Sequence, residues 1–554
     1  MRPLRRALPP LVLLALAIAA CAHRASSPPP AADAAPDAGT APAAIPGTPP
    51  AEPTPQRRGD PLGAVRAQVE ALLRSQAEGY WRAFTSGARF DPAAAWRGRD
   101  ALLSPGTLAR VDAALAAAQG DEQRALRHLR AFLLGEALAR DLSGATARLA
   151  AAQASTTVSW GGRAVSLDRV PGLLAAEADP ARRKALAEAT VEAERALVPL
   201  ADAWRQALDA AARARGFAGT LPLAAALRGA DPEALERRAA AVLERTDAIW
   251  RALIGALAKR ETALDASAVR ARDLPRLLRS PPDGDLFPAD RQVATATAAL
   301  AALGVDLAGG VVDGAARPGK QAGVIALPVE VPGGVRVSFS PVPGLDAARA
   351  LLHALGVASH YAHVKVRPVE FRRLGPEAIP RASGDLFEGI AAAPQWLADR
   401  GASRDFVAAA VRSAVARDLR AVREDAAIVL YELARARQPE RTAELWAPIA
   451  ERALGRPAEE ELPPPAVDPD PLLRAAEDLD ARLLAAQLAT ALDRVSGGPW
   501  WRSPRAGEAL RGVWAEGTRR AAGEILVQLG AGPLDPSALD TLARSRLEAA
   551  GAAP

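Results

Sequence analysis

The segment 348–364, ARALLHALGVASHYAHV, carries three of the five histidines of the chain: His353, His360 and His363. An H-E-x-x-H motif holds zinc because its two histidines lie on one helix face, and its glutamate activates a water molecule. Here Ala354 and Val357 occupy the second and fifth positions of that pattern. The segment therefore has the first residue of a hydrolytic zinc motif without the residues that complete it.

The remaining histidine spacings do not restore a zinc site by themselves. On a helix, His353 and His360 are about 10.5 Å apart along the axis, which is too far for two ligands of one zinc ion. His360 and His363 are close enough to share a metal ion, but the local spacing shows no third ligand. Partly buried histidines that make hydrogen bonds are the simpler expectation.

The elements around this segment follow from turn residues and periodicity. Asp346 is a candidate N-cap for a helix that runs through His363. The preceding stretch, GVIALPVEVPGGVRVSFSPVPG, alternates around a Pro-Gly-Gly turn and predicts a hairpin, in which Pro328 favours an edge strand. The second strand, 335–339, either adds an extended peptide as a further strand or only closes the core. A second hairpin is predicted at TTVSWGGRAVSL.

Helical periodicity dominates the rest of the chain, so the predicted fold is mostly α. Asp179-Pro180 and Asp231-Pro232 are typical helix starts. The net charge of +5 is small for 554 residues and no aromatic-plus-basic platform is evident, which excludes a nucleic-acid partner. We divide the chain into a signal peptide (1–20), a tether (21–59), an N-terminal helical part (60–310) and a C-terminal part (311–554).

The N-terminus predicts a lipid anchor. A basic start, a short apolar run and the sequence IAAC resemble a bacterial lipoprotein signal, in which Cys21 is acylated; Cys21 is the only cysteine of the chain. The Pro/Ala-rich stretch that follows is typical of an extended tether. We expect the protein in the bacterial cell envelope, anchored through Cys21 to the outer membrane and facing the periplasm, by analogy with other lipoproteins that carry a residue such as Ala22.

The stretch RPGKQAGVIALPVEVPGGVRVSFSPVPGLDAARALLHALGVASHYAHV, followed by DLFEGIAAAPQWL, resembles the thimet oligopeptidase and oligoendopeptidase F family of zinc metallopeptidases. Weaker similarity extends over most of the chain beyond the tether. The resemblance implies a large helical peptidase-like body, with one or two small β-hairpins next to a central cleft. It also implies that His353 stands at the first zinc-ligand position.

The catalytic residues of that family are missing. Ala354 stands where the family has its general-base glutamate, and Val357 stands where it has the second histidine ligand. The segment Pro380-Arg381-Ala382 stands where the family places its distal glutamate ligand, and the nearby carboxylates Glu377 and Asp385 would each need a shifted register. The family also has a downstream histidine and tyrosines that stabilise the oxyanion, whereas here no histidine follows His363 and the only later tyrosine is Tyr431.

We therefore predict a degenerate, metallopeptidase-like pseudoenzyme with no catalytic residues, no metal and no cofactor, which serves as a peptide-binding, protein-binding or scaffolding module. Its partners would be the membrane and peptides or envelope proteins. The predicted residual cleft consists of His353, Ala354, Val357, His360, His363 and Arg381.

Three alternatives stay open. The chain could be an active zinc metallopeptidase that cleaves short peptides with rearranged ligands, namely His360, His363 and either Glu377 or Asp385. It could be a purely structural lipoprotein whose cleft is filled. Finally, Arg381, Arg373 and neighbouring basic residues could hold an anion such as a peptide C-terminus.

Overall fold

The structure, a computed structural model, describes residues 60–262, 264–283, 285–457, 462–470 and 472–552. Helices dominate these residues, and the strands form two small sheets. The predicted mostly α fold is confirmed. The predicted signal peptide, Cys21 and the tether lie outside the described residues.

The helices of the first half precede the three-stranded sheet. They are α1 (Gly63–Ser86), α2 (Pro92–Trp96), α3 (Pro105–Ala117), α4 (Gly120–Asp141), α5 (Ser143–Ser155), α6 (Val170–Ala176), α7 (Pro180–Arg195), α8 (Val198–Arg213), α9 (Thr220–Arg228), α10 (Pro232–Thr262), α11 (Leu274–Leu277) and α12 (Gln292–Ala302). The strands are β1 (Thr157–Trp160), β2 (Arg163–Ser166), β3 (Val311–Asp313), β4 (Val324–Glu330) and β5 (Gly334–Phe339).

The helices of the second half follow β5. They are α13 (Leu345–Ala362), α14 (Val369–Arg373), α15 (Ala378–Glu388), α16 (Pro394–Ala398), α17 (Arg404–Arg437), α18 (Thr442–Leu454), α19 (Pro464–Val467), α20 (Arg474–Ser496), α21 (Pro504–Ala515), α22 (Ala522–Gln528) and α23 (Ser537–Ala549). None of the helices among the described residues is long and apolar enough to cross a membrane.

Aspartate N-caps begin helices where the sequence predicts them. Asp179 accepts a hydrogen bond from the backbone N–H of Ala181 at 2.8 Å, and Pro180 follows as the first helical residue. Asp231 accepts from the N–H groups of Glu233 and Ala234 at the start of α10. These bonds satisfy backbone donors that have no partner within the helix.

The predicted N-cap of α13 is wrong. Asp283, from a preceding loop, accepts the hydrogen bond of the Leu345 N–H. Asp346 instead accepts a hydrogen bond from Ser280 at 2.7 Å and pairs with Arg417. The helix nevertheless covers the predicted segment, and it ends at Ala362, one residue before His363.

Both predicted hairpins form, but the larger one belongs to a three-stranded sheet. Gly161 and Gly162, both at positive φ, make the two-residue turn between β1 and β2. In the other sheet the strand order is β3-β5-β4, with β3 parallel and β4 antiparallel to β5. Pro328 does lie on an edge strand, β4. The hypothesis that a peptide adds to β5 is wrong, because β3 and β4 already pair with both edges of that strand.

The two faces of β4 border two apolar cores. Ile325 and Leu327 pack with α1 to α4, whereas Val324 and Ala326 belong to a larger core that draws on residues 134–552. Adjacent strand residues point to opposite faces, so β4 contributes side chains to both cores. The larger core contains residues from both sides of the predicted boundary at 310/311, and the division into two parts stays a prediction.

Helices α13 and α15 pack closely through two glycines. A Cβ atom on Gly356 of α13 would overlap the carbonyl oxygen of Ser383. A Cβ atom on Gly384 of α15 would lie 2.8 Å from both His353 Nε2 and Val357 Cγ2. The absence of side chains at these two positions lets the helices approach closely and brings His353 against the backbone of α15.

Candidate functional site

His353 projects from α13 toward two carboxylates at the end of α15. Its Nδ1 atom lies 3.5 Å from Asp385 Oδ1 and 3.3 Å from Glu388 Oε2. All three side chains are partly exposed, at 27 %, 17 % and 30 % respectively. We call His353, Asp385 and Glu388 the α13–α15 cluster.

Arginines surround the cluster, and each has an acidic partner. Arg349, one turn before His353, donates hydrogen bonds to Glu388 Oε1 at 2.8 Å and to Asp418 at 2.9 Å. Arg482 of α20 donates to Asp425 at 2.9 Å. Because these guanidinium groups are already balanced, positive charge does not accumulate around His353.

The charges of the cluster follow from burial and these neighbours. Burial disfavours a charged imidazole, but Glu388 and Asp385 hold the pKa of His353 above its ordinary value. Burial would raise the pKa of Glu388, yet Arg349 and His353 lower it. Burial also raises the pKa of Asp385 to about 6, against the opposing effects of Arg482 and His353. The two carboxylates thus favour the protonated form of the His353 ring, and burial opposes it.

The zinc site that the family resemblance implies does not fit these residues. Ala354 and Val357 are 2 % and 4 % exposed, and Val357 packs against Gly384 in the core. Arg381 faces carboxylates of its own, with Glu377 at 3.3 Å and Asp478 as a further partner. An aliphatic side chain and an arginine thus occupy two of the positions to which the resemblance assigns ligands, and neither side chain can bind zinc.

His360 and His363 have different surroundings. His360 is completely buried, and neither ring nitrogen has a hydrogen-bond partner, so the expected hydrogen bond is missing there. Burial, with a smaller effect of His363, lowers the pKa of His360 to about 3 and keeps the ring neutral. His363 Nδ1 lies 2.9 Å from the Ser359 carbonyl oxygen, and its ring lies against Trp514.

The rearranged ligand set considered from the sequence does not assemble. Within the described parts of the chain, the α13–α15 cluster is the one group of three His, Cys, Asp or Glu side chains whose ligand atoms all lie within 4.8 Å of one another. His360 and His363 therefore do not form such a group with Glu377 or Asp385.

Sequence reasoning missed Glu388 and the pairing of Asp385 with His353. One signal was available, because Asp385 and Glu388 are three residues apart and share a helix face. The sequence does not show that this face meets His353, since that depends on how α13 and α15 pack.

The arginines proposed as an anion site are also occupied by internal contacts. Arg373 donates to the backbone carbonyls of Val329 and Pro328 in β4, at 3.1 and 2.5 Å. Arg372 donates to Glu70 at 2.6 Å. With Arg381 paired as well, these guanidinium groups hold the fold together, and the anion-binding hypothesis gains no support from their positions.

The structure contains one cavity that borders the cluster and another that lies away from it. One, of about 70 Å³, is lined by Asp385 and Glu388 and by residues of α17, α20 and α23. The other, of about 560 Å³, lies between α3, α4 and the end of α8, with apolar side chains such as Leu108 and Phe217 and charged side chains such as Arg130. The smaller cavity gives the cluster access to water-sized molecules, and the larger one has room for several side chains.

The sequence matches no known family model and no curated protein.

Proposed function

We propose that this protein is a lipid-anchored envelope protein whose metallopeptidase-like body does not hydrolyse peptides and acts as a binding or scaffolding module. The observation that carries the proposal is the position of Val357. This residue stands where the resembling family has its second zinc ligand, and it is 4 % exposed and packed against Gly384. The tight contact between α13 and α15 is built around that apolar side chain.

Ala354 and Tyr431 also lack the two other contributions to hydrolysis, a general base and a group that stabilises the oxyanion. Ala354, at the general-base position, is buried and has no group that accepts a proton. Tyr431, the only tyrosine after the cluster, is 1 % exposed and packs edge-on against Trp446, so it is not available to an oxyanion. General-base and oxyanion groups each contribute roughly 10²-fold or more to hydrolysis.

The binding part of the proposal draws support from the larger cavity. Its apolar walls and charged rim combine the features that recognise a peptide or a segment of another protein. The cavity lies on the N-terminal half, away from the α13–α15 cluster. In this proposal, recognition takes place on a surface that is separate from α13.

The proposal predicts that peptides are retained intact. Purified full-length chain is incubated with a defined mixture of short peptides, and mass spectrometry compares retained and free peptides after ultrafiltration. We expect retention of a subset of uncut peptides, and weaker retention by Phe217→Asp, which puts a charge in the larger cavity. The matched control is Ala185→Asp, at an exposed position of α7.

Two results would contradict this proposal. Retained peptides that appear as fragments would contradict the non-hydrolytic body. Equal retention by the Phe217→Asp variant and the unmodified chain would remove the larger cavity from the account, and a complete lack of retention would leave only the scaffolding role.

A further inference from the structure

We propose that the α13–α15 cluster binds one divalent transition-metal ion through His353 Nδ1, Asp385 and Glu388. The inference goes beyond the proposed function and does not rest on it, because it uses only the contacts among these three side chains. It also departs from the sequence-based expectation that the protein has no metal. That expectation considered His353 and Asp385 separately, whereas the structure brings them together with Glu388.

The distances within the cluster suit shared coordination better than direct hydrogen bonding. A charge-assisted N–H···O bond is usually about 2.7–2.9 Å long. The two separations here, 3.3 and 3.5 Å, are longer. Ligand bonds of 2.0–2.1 Å at tetrahedral angles place two ligand atoms about 3.4 Å apart. The distance from the imidazole nitrogen to each carboxylate oxygen is thus close to the distance between two ligand atoms that bind one zinc-sized ion.

The surroundings hold the ligands in this arrangement. Gly384 leaves room for the His353 ring to lie across α15, where any side chain would displace it. Arg349 donates two hydrogen bonds to Glu388 Oε1, at 3.2 and 2.8 Å, and leaves Oε2 directed toward His353. Outer groups that orient a ligating carboxylate in this way are a regular part of metal sites.

Charge and access are also suitable. Two carboxylates neutralise a divalent ion, and the nearby Arg349 is additionally paired with Asp418 at 2.9 Å. The adjoining cavity of about 70 Å³ is lined by Asp385 and Glu388, and it leaves room for water molecules at the remaining coordination positions. One nitrogen and two carboxylate oxygens suit Zn²⁺ or Co²⁺ better than Ca²⁺, which prefers six to eight oxygen ligands.

Metal titration of the purified full-length chain tests this inference. After treatment with EDTA and buffer exchange, the chain is titrated with CoCl₂, monitored by visible absorption, and with ZnCl₂, monitored by calorimetry. We expect one equivalent to bind. His353→Ala and Glu388→Gln should each weaken binding at least about tenfold, since each removes a ligand.

Two control variants separate this site from its neighbours. Asp405→Asn alters an exposed carboxylate in the first turn of α17, and His363→Gln alters another histidine, one residue past the end of α13. Both should leave the affinity unchanged. Asp385→Asn, which keeps the shape of the side chain, provides a second ligand variant if His353→Ala does not fold.

The inference is overturned if one equivalent does not bind, or if binding survives unchanged in His353→Ala and the two carboxylate variants. Loss of binding in His363→Gln, with binding retained in the ligand variants, would also overturn the inference. It would place the metal at the C-terminal end of α13. Because the titration contains no peptide, its outcome is independent of whether the body binds or cleaves peptides.

Discussion

At the scale of single residues, burial determines the chemistry that α13 can support. Ala354 and Val357 are not vacant ligand positions on a surface, because they are packed in the contact between α13 and α15. Of positions 353, 354 and 357, only His353 has a polar environment, and it faces two carboxylates. We therefore expect that placing Glu and His at these two buried positions costs stability, although it completes the H-E-x-x-H pattern in the sequence.

The double variant Ala354→Glu/Val357→His tests this explanation. We expect it to lose at least about 3 kcal/mol in free energy of unfolding, because it places a carboxylate and an imidazole in a packed core. Chemical denaturation followed by circular dichroism measures the loss. Ala185→Glu, which puts the same side chain on an exposed helix position, should change the stability little. A double variant as stable as the unmodified chain would show that space for the family's ligands remains.

The sequence shows which residues replace the family's ligands, but it does not show which residues they contact. The replacements at positions 354, 357 and 381 are visible in the sequence, and so is the run of three histidines. The partners of those side chains come from distant parts of the chain: Arg381 pairs with Asp478, and His353 faces Glu388. Such contacts depend on helix packing, which periodicity does not specify.

At the scale of secondary structure elements, the close approach of α13 and α15 positions the cluster. Gly356 and Gly384 make the approach possible from opposite sides of the contact. Loss of either glycine would separate the helices or force local shifts in their backbones.

Gly356→Ala should destabilise the protein by at least about 1–3 kcal/mol, because the new methyl group meets the backbone of α15. Gly512→Ala in α21 is the matched control. Its Cβ would meet no atom within 4 Å, so it should raise stability by up to about 1 kcal/mol through helix propensity. Thermal and chemical unfolding measure both variants. If both substitutions changed the free energy of unfolding equally, the close α13–α15 contact would not require glycine at position 356.

Element types could be predicted from periodicity and turn residues, whereas their arrangement could not. The hairpin of β4 and β5 was evident from alternation around its turn, and Pro328 indicated the edge strand. The parallel pairing of β3 with β5 was missed because β3 has only three residues, Val311–Asp313, in a glycine-rich stretch. That short strand nevertheless occupies the edge of β5 at which a peptide was expected.

At the scale of the whole molecule, one apolar core connects α13 with helices far away in sequence. The larger core includes side chains of α13 and α15 as well as of α8, α10, α17 and α20. Stability of the body therefore depends on the same helices that hold the α13–α15 cluster. The binding or scaffolding role and the lipid anchor at Cys21 remain predictions.

The central claim is that this body does not cleave peptides, whether or not the α13–α15 cluster holds a metal ion. The most direct measurement is the cleavage of internally quenched fluorescent peptides by the purified full-length chain, with added ZnCl₂ and with EDTA. The account predicts no cleavage above the buffer rate in either condition. Cleavage that EDTA abolishes, and that is also lost in His353→Ala, would contradict it.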